Sequence, residues 1–428
     1  MDIKLRECFY KKTLTAMNFL NEVVMSYPKA VSFAPGRPLE DLFDVSGHLD
    51  DIHRFAEYYG ARRGMNPRRA LDALGQYGRT NGIIGELIAD NLLKDEQIKV
   101  PAESIAVTNG CQEAMALLLV GLFEPGRDVL LVADPTYIGI TSLAELLGIE
   151  LYLLPHDENG LDPNIIAEAA HAITAKGKRA RAVYLIPDFN NPLGTYMPLE
   201  ARGQVLEIAH AHGMLVFEDN PYGMFVFNGK PLPTLKALDT EGSVIYMGTF
   251  SKTLFPGMRL GYLVADQPTN GGKGPMLADE LSKVKSFLSV NTSPLLQAVV
   301  GGTLLRTGGS LRALIAPKLA AYKKNRDKMT ACLEKGLGQV KASGELHWSQ
   351  PNGGFFLTVT LPFKVSEADL SRCAAEYDVI VCPMSLFSLG GGHGKQIRLS
   401  FSYVTPEEIE RGIASLSRFL LAEMRHSN

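Results

Sequence analysis

From about residue 104 the chain alternates short apolar, β-rich runs with helical patterns, and this rhythm restricts the possible folds more than any other feature of the sequence. SIAVTNG leads into CQEAMALLLVGLF, DVLLVADPTY into GITSLAELLG, and IELYLLP into a helical stretch from Asp162 to Lys176. RAVYLIPDFNNP, LEARGQVLEIAHAHG, MLVFEDNPYG, SVIYMGTFSK and RLGYLVAD continue the series. Runs such as VYLI and LVF are apolar without alternation, as strands become when helices cover both faces of a sheet. The pattern predicts an α/β fold on a mainly parallel sheet.

The rhythm breaks at DQPTNGGKGPMLADE (266 to 280), where Gly and Pro predict a surface loop. A long helical region follows to about Lys335, then HWSQPNGGFFLTVTLP, a helix, and QIRLSFSYVTPEEIERGIASLSRFLLAEM, which together read as a smaller α+β unit. A chain of 428 residues exceeds what one compact core holds. The expected division is an N-terminal arm and part of the small domain over 1–45, a large domain over 46–295, and the remaining small domain over 296–428.

A formal net charge of −3 and the absence of a long Lys/Arg run give no electrostatic reason for a nucleic-acid or membrane partner, which leaves small-molecule substrates. Five cysteines without a C-x-x-C pair suggest neither a disulfide framework nor a zinc site, and a reducing cytoplasm is expected. The charged N-terminus, MDIKLRECFYKK, lacks the apolar core of a secretory signal, and the longest apolar stretch, AMALLLVGLF (114 to 123), is too short to cross a bilayer. His210 and His212 stand two apart and cannot share a helix face, so no metal is expected.

Polar clusters fall where strands end, the place at which open α/β sheets bind ligands. Gly110, Cys111 and Gln112 open a helix after a strand, where free N–H groups and the helix dipole suit a phosphate; any Asn-Gly turn that starts a helix also looks like this. Asp219 ends the strand LVF and needs a charged or proton-donating partner, such as a protonated heterocyclic nitrogen, with a helix cap or salt bridge as the plainer alternative. Asn191 precedes a proline and has an amide free to donate, although Asn-Pro also simply makes turns, and Tyr137 offers a ring for stacking or for ordinary packing. FSKTLFPGMRLGY is the most telling stretch. A partly buried Lys252 loses its proton readily and can form a Schiff base, while Arg259, Thr249 and Ser251 would grip a phosphate. A surface lysine and a structural arginine are the bland reading of the same residues.

Taken in order, TNGCQEA, DPTYIG, NNPLG, EDNPYG, FSKTLFPGMRLGY, PNGGFF and IRLSFS resemble the pyridoxal-5′-phosphate enzymes of fold type I, aminotransferase class I/II. Within them the chain is most similar to the branch of 2-aminoadipate and kynurenine aminotransferases and of the aminotransferase half of certain bacterial regulators. The resemblance runs from about residue 30 to the C-terminus. It implies a large domain with a seven-stranded sheet and transfer of an amino group from an L-amino acid to a 2-oxo acid. It also implies that Lys252 forms the Schiff base and moves the proton, that Asp219 keeps the pyridine nitrogen protonated, and that Tyr222 and Asn191 bond the phenolic oxygen. Tyr137 would stack on the cofactor, and Gly110, Cys111, Gln112, Thr249, Ser251 and Arg259 would cradle its phosphate. Arg398 would grip the substrate α-carboxylate. Tyr77 in GQYGRTNG would reach the phosphate of a neighbouring subunit, which implies a homodimer.

The sequence departs from the family pattern at Cys111, Ile138 and Leu193, in GIIGELIAD, and in SFAPGRP, where Ala34 to Arg37 replace the usual paired glycines. Arg37 is a candidate partner for a distal substrate carboxylate or a structural arginine. These departures keep open a lyase, cyclase or decarboxylase acting through the same cofactor.

Overall fold

The structure is a computed structural model that describes residues 3–10, 22–342, 344 and 346–427; part of the N-terminal arm expected over 1–45 lies outside them. After a short strand β1 (Val31–Ser32), seven strands form one sheet: β2 (Ile105–Thr108), β3 (Asp128–Asp134), β4 (Glu150–Pro155), β5 (Arg179–Leu185), β6 (Leu215–Asp219), β7 (Val244–Thr249) and β8 (Gly261–Val264). Their order is β2-β8-β7-β6-β5-β3-β4. The strands from β7 to β4 run parallel to their neighbours, because a helix returns the chain between most successive members. β8 is antiparallel to both β7 and β2, since the connection from β7 holds only a short turn and a 3-10 segment, Pro256–Met258.

Apolar side chains leave the sheet on both sides, which explains strands without alternation. Leu130, Val132, Ala182, Tyr184 and Phe217 enter one core, while Val129, Leu131, Val183, Leu185 and Val216 enter another. The alternation is one of direction rather than polarity.

The smaller unit is an antiparallel sheet in the order β12-β13-β10-β9, from β9 (His347–Trp348), β10 (Phe356–Thr360), β12 (Cys382–Pro383) and β13 (Gln396–Ser400). β1 pairs in parallel with β11 (Val379–Ile380), and the Ser400 N–H donates to the Phe33 carbonyl, so the N-terminal segment is fastened to the C-terminal unit.

Two expectations shift. The helix Pro294–Arg306, expected in the small unit, packs against the helix Val45–Ala61 and shares a core with β2, β7 and β8. A Cβ on Gly302 would lie 1.8 Å from the Asp51 carbonyl, so the two helices approach at a distance only glycine permits. The loop expected over 266–280 also ends early. The helix Leu277–Leu288 begins inside it, with Leu277 and Ala278 buried, because the Gly and Pro residues stop at Pro275 and Asp279 and Glu280 suit a first turn.

Candidate active site

The sheet delivers its polar ends to one place. β2, β3, β6 and β7 run in the same sense and finish at the same edge, just before Gly110, Tyr137, Asn220 and Phe250. Because β8 is antiparallel it starts there, which brings Arg259 to the same edge. A cavity of about 460 Å³ opens at this edge. It is lined by Cys111, Gln112, Tyr137, Asn191, Asp219, Tyr222, Thr249, Ser251, Lys252, Arg259, Arg398 and Arg37. Twelve residues singled out from sequence therefore share one wall system, with Gly110 directly behind.

Gly110 explains how two of the motifs meet. It holds φ 75° at the N-cap of the helix Cys111–Leu122, and a Cβ there would come within 2.7 Å of Arg259 Nη2. Glycine lets the guanidinium close on the helix N-terminus, whose first N–H groups have no intrahelical acceptor. Arg259 has φ 50°, uncommon for a residue with a side chain. Thr249 Oγ1 donates to Ser251 Oγ at 3.0 Å and accepts from the Ser251 N–H at 3.1 Å. These groups form a cationic, donor-rich pocket suited to a phosphate. The Cys111 thiol is turned to the Gly248 carbonyl at 3.2 Å, and burial raises it well above the ordinary thiol range.

Lys252 Nζ donates to the Gly36 carbonyl at 2.9 Å. Burial, followed by the charge of Arg259, lowers the amine to about 8, so a neutral nucleophile is accessible near neutral pH. Asp219 is buried at the end of β6 and raised to about 6 by desolvation. Its Oδ2 accepts from Tyr184 Oη at 2.6 Å, while Oδ1 is buried without a partner. An unpaired carboxylate oxygen on a residue that lines the cavity fits a protonated ring nitrogen.

The opposite wall comes from remote segments. Arg398, on β13, donates through Nη1 to Asn191 Oδ1 at 2.6 Å and through Nη2 to the Ala34 carbonyl at 2.5 Å, leaving Nε buried and unpartnered. The guanidinium lies 4.3 Å from the Phe356 ring centre and 4.7 Å from that of Phe387. Val24, Ile138, Ile186 and Phe387 supply apolar lining. Arg37 is exposed, donates through Nη2 to Tyr403 Oη at 2.9 Å and lies 4.2 Å from that ring's centre. The hydroxyl of Tyr222 is raised above its ordinary range by burial, against the pull of Arg398. Tyr137, which donates weakly to Gln112 at 3.4 Å, is pushed up to about 12 by burial.

Tyr77 is not part of this cavity. Its side chain is 79% exposed. Sequence reasoning missed Tyr184, Phe387 and Tyr403. Tyr184 carried a usable signal, a hydroxyl inside the apolar run AVYLI that required a buried partner. Among the described residues no group of three or more His, Cys, Asp or Glu is arranged to hold a metal ion, and no helix is long and apolar enough to cross a membrane.

The chain is similar in sequence and in fold to known proteins. The family described as aminotransferase class I and II matches residues 67–416. The (S)-3,5-dihydroxyphenylglycine transaminase of Amycolatopsis orientalis is 43% identical over 412 residues, covering 96% of this chain and 92% of that protein. The 2-aminoadipate transaminase of Thermus thermophilus is 30% identical over 403 residues, covering 92% and 90%. In structure, the kynurenine aminotransferase of Pyrococcus horikoshii, solved with PMP, superposes with a TM-score of 0.82 at 28% identity, covering 99% of this chain and 96% of that one.

Proposed function

The chain belongs to the aminotransferases of class I and II, and from that premise we propose that it moves the amino group of an L-amino acid with an aromatic side chain to a 2-oxo acid. Its activity is pyridoxal-phosphate-dependent transamination. The observation that carries the reading of the site is the unpartnered Oδ1 of Asp219 in the cavity that also holds Lys252 and Arg398.

Bound there, pyridoxal 5′-phosphate supplies an aldehyde that condenses with amines and a ring that draws electrons from the substrate's Cα–H bond. Asp219, as a carboxylate, would accept a hydrogen bond from the protonated ring nitrogen and so keep that nitrogen charged. Tyr222 and Asn191 would donate to the phenolic oxygen, and Tyr137 would stack on the ring. Gly110, Cys111, Gln112, Thr249, Ser251 and Arg259 hold the phosphate. Lys252 would anchor the cofactor through its neutral amine and would serve as the base that holds and moves the substrate's Cα proton. Arg398 binds the α-carboxylate, with its free Nε as an available donor and the Ala34 carbonyl as the contact that a carboxylate would replace.

The aromatic preference is supported by the apolar lining beside Arg398 and by the names of relatives that act on dihydroxyphenylglycine and kynurenine. Arg37 uses one of its donors on Tyr403, and the others meet a polar substituent at the far end of the substrate. Assays with phenylalanine, tyrosine, phenylglycine and 2-aminoadipate as donors and 2-oxoglutarate as acceptor test this. An aromatic donor should exceed 2-aminoadipate in kcat/KM by at least roughly tenfold. The reverse order would overturn the substrate reading.

The same reading includes a homodimer with shared sites. Gly78, next to Tyr77, lies against Pro294, and Phe287, Leu288, Val290 and Leu295 expose apolar surface in that neighbourhood. A second copy covering this surface would let Tyr77 reach the partner's phosphate cradle; a monomer in sedimentation at assay concentration would rule it out. Five cysteines without disulfide partners support a reducing, cytoplasmic setting.

A further inference from the structure

Tyr184 stands one strand away from Asp219. Its partner across the parallel ladder is Phe217 on β6, and Phe217 points to the same face as Asp219 two residues on. Aromatic side chains reach such diagonal neighbours, and Tyr184 Oη meets Asp219 Oδ2 at 2.6 Å. Tyr184 is fully buried and Asp219 nearly so. One carboxylate oxygen is therefore held from within the core while the other, Oδ1, has no partner.

We propose that Tyr184 is a positioning residue for the cofactor's ring nitrogen: its hydroxyl, donated to Oδ2, keeps Asp219 ionised and turned so that Oδ1 faces the nitrogen. The inference rests on the reading of Asp219 given above. Desolvation raises Asp219 to about 6, and the hydrogen bond from Tyr184 is the first influence opposing that rise. Burial also raises the Tyr184 hydroxyl well above its ordinary range, so the phenol keeps its proton and remains a donor. Without this donor the buried carboxyl holds its own proton at higher pH, and a neutral acid is a poorer partner for a protonated nitrogen.

The test compares two ligands on apo-protein: pyridoxal 5′-phosphate, and the analogue with carbon in place of the ring nitrogen. The analogue keeps the aldehyde, phenolic oxygen and phosphate, so the ratio of dissociation constants isolates the nitrogen. The native protein should prefer the nitrogen-bearing ligand, and Asp219→Asn should abolish the preference. Tyr184→Phe, which removes a single oxygen, should reduce the preference roughly tenfold while leaving affinity for the carbon analogue unchanged. Equal loss of affinity for both ligands would mark a merely structural role and overturn the proposal. So would a preference that Asp219→Asn abolishes and Tyr184→Phe leaves intact. No preference in the native protein would remove the reading of Asp219 itself, and the proposal with it. Should Tyr184→Phe fail to fold, 3-fluorotyrosine placed at position 184 decides. Its more acidic hydroxyl should increase the preference, and an unchanged or smaller preference would count against the role.

Discussion

The two walls of the cavity are built in different ways. On the sheet wall, Asp219, Thr249 and the Gly110 turn sit at strand ends, and Lys252 follows three residues after β7. Their positions are set by the backbone ladder. The facing wall is assembled from chain segments hundreds of residues apart: Ala34 to Arg37 reach it because β1 pairs with β11, and Arg398 because β13 pairs with β10 and β12. On the proposed reading the sheet wall would hold the cofactor, whose shape is fixed, and the assembled wall would hold the substrate. The contrast assigns loss of chemistry to one wall and loss of substrate binding or discrimination to the other.

The largest expected effect lies on the sheet wall. Lys252→Ala should lower transamination by roughly four orders of magnitude, since it removes the group that moves the Cα proton; steady-state rates with saturating donor measure it, and a small loss would break the contrast. Arg398→Gln should cost roughly a hundredfold in kcat/KM, mostly as a higher KM for every α-amino acid. Its cofactor absorption spectrum should stay native, and a changed spectrum would show that the two walls are not separable.

A pH dependence sharpens the sheet wall further. A lysine lowered to about 8 presents its neutral form above that pH, so uptake of cofactor by apo-protein should quicken with rising pH and level off above about 8. An unshifted lysine would keep gaining up to 10.5. Stopped-flow absorbance across the range distinguishes these. The smallest effect belongs to Arg37→Gln, which leaves the apolar lining in place. It should lower kcat/KM for hydroxylated or acidic side chains by about fivefold relative to phenylalanine, and equal loss for all donors would deny Arg37 a part in discrimination.

The same division governed what the sequence disclosed. EDNPYG and FSKTLFPGMRLGY placed Asp219, Lys252 and Arg259 beside apolar strand ends, where each also had a plainer structural reading, and the sheet brings all three to one cavity. Tyr184 stayed hidden because its partner lies on the next strand, and nothing local pairs AVYLI with LVFED. Arg398 was identified by resemblance alone; its contacts with Asn191 and Ala34 depend on segments that meet only through packing. The helix Pro294–Arg306 was drawn into the wrong unit for the same reason, since its glycine-mediated seat on Val45–Ala61 leaves no periodic signature.

The central claim is that the Lys252 amine is the point of covalent attachment for pyridoxal 5′-phosphate. Borohydride reduction of the purified holoprotein, followed by proteolysis and mass spectrometry, tests it most directly. The expected result is a single pyridoxyl adduct on the peptide containing Lys252. An adduct on another lysine, or none in protein that has bound the cofactor, would contradict the account.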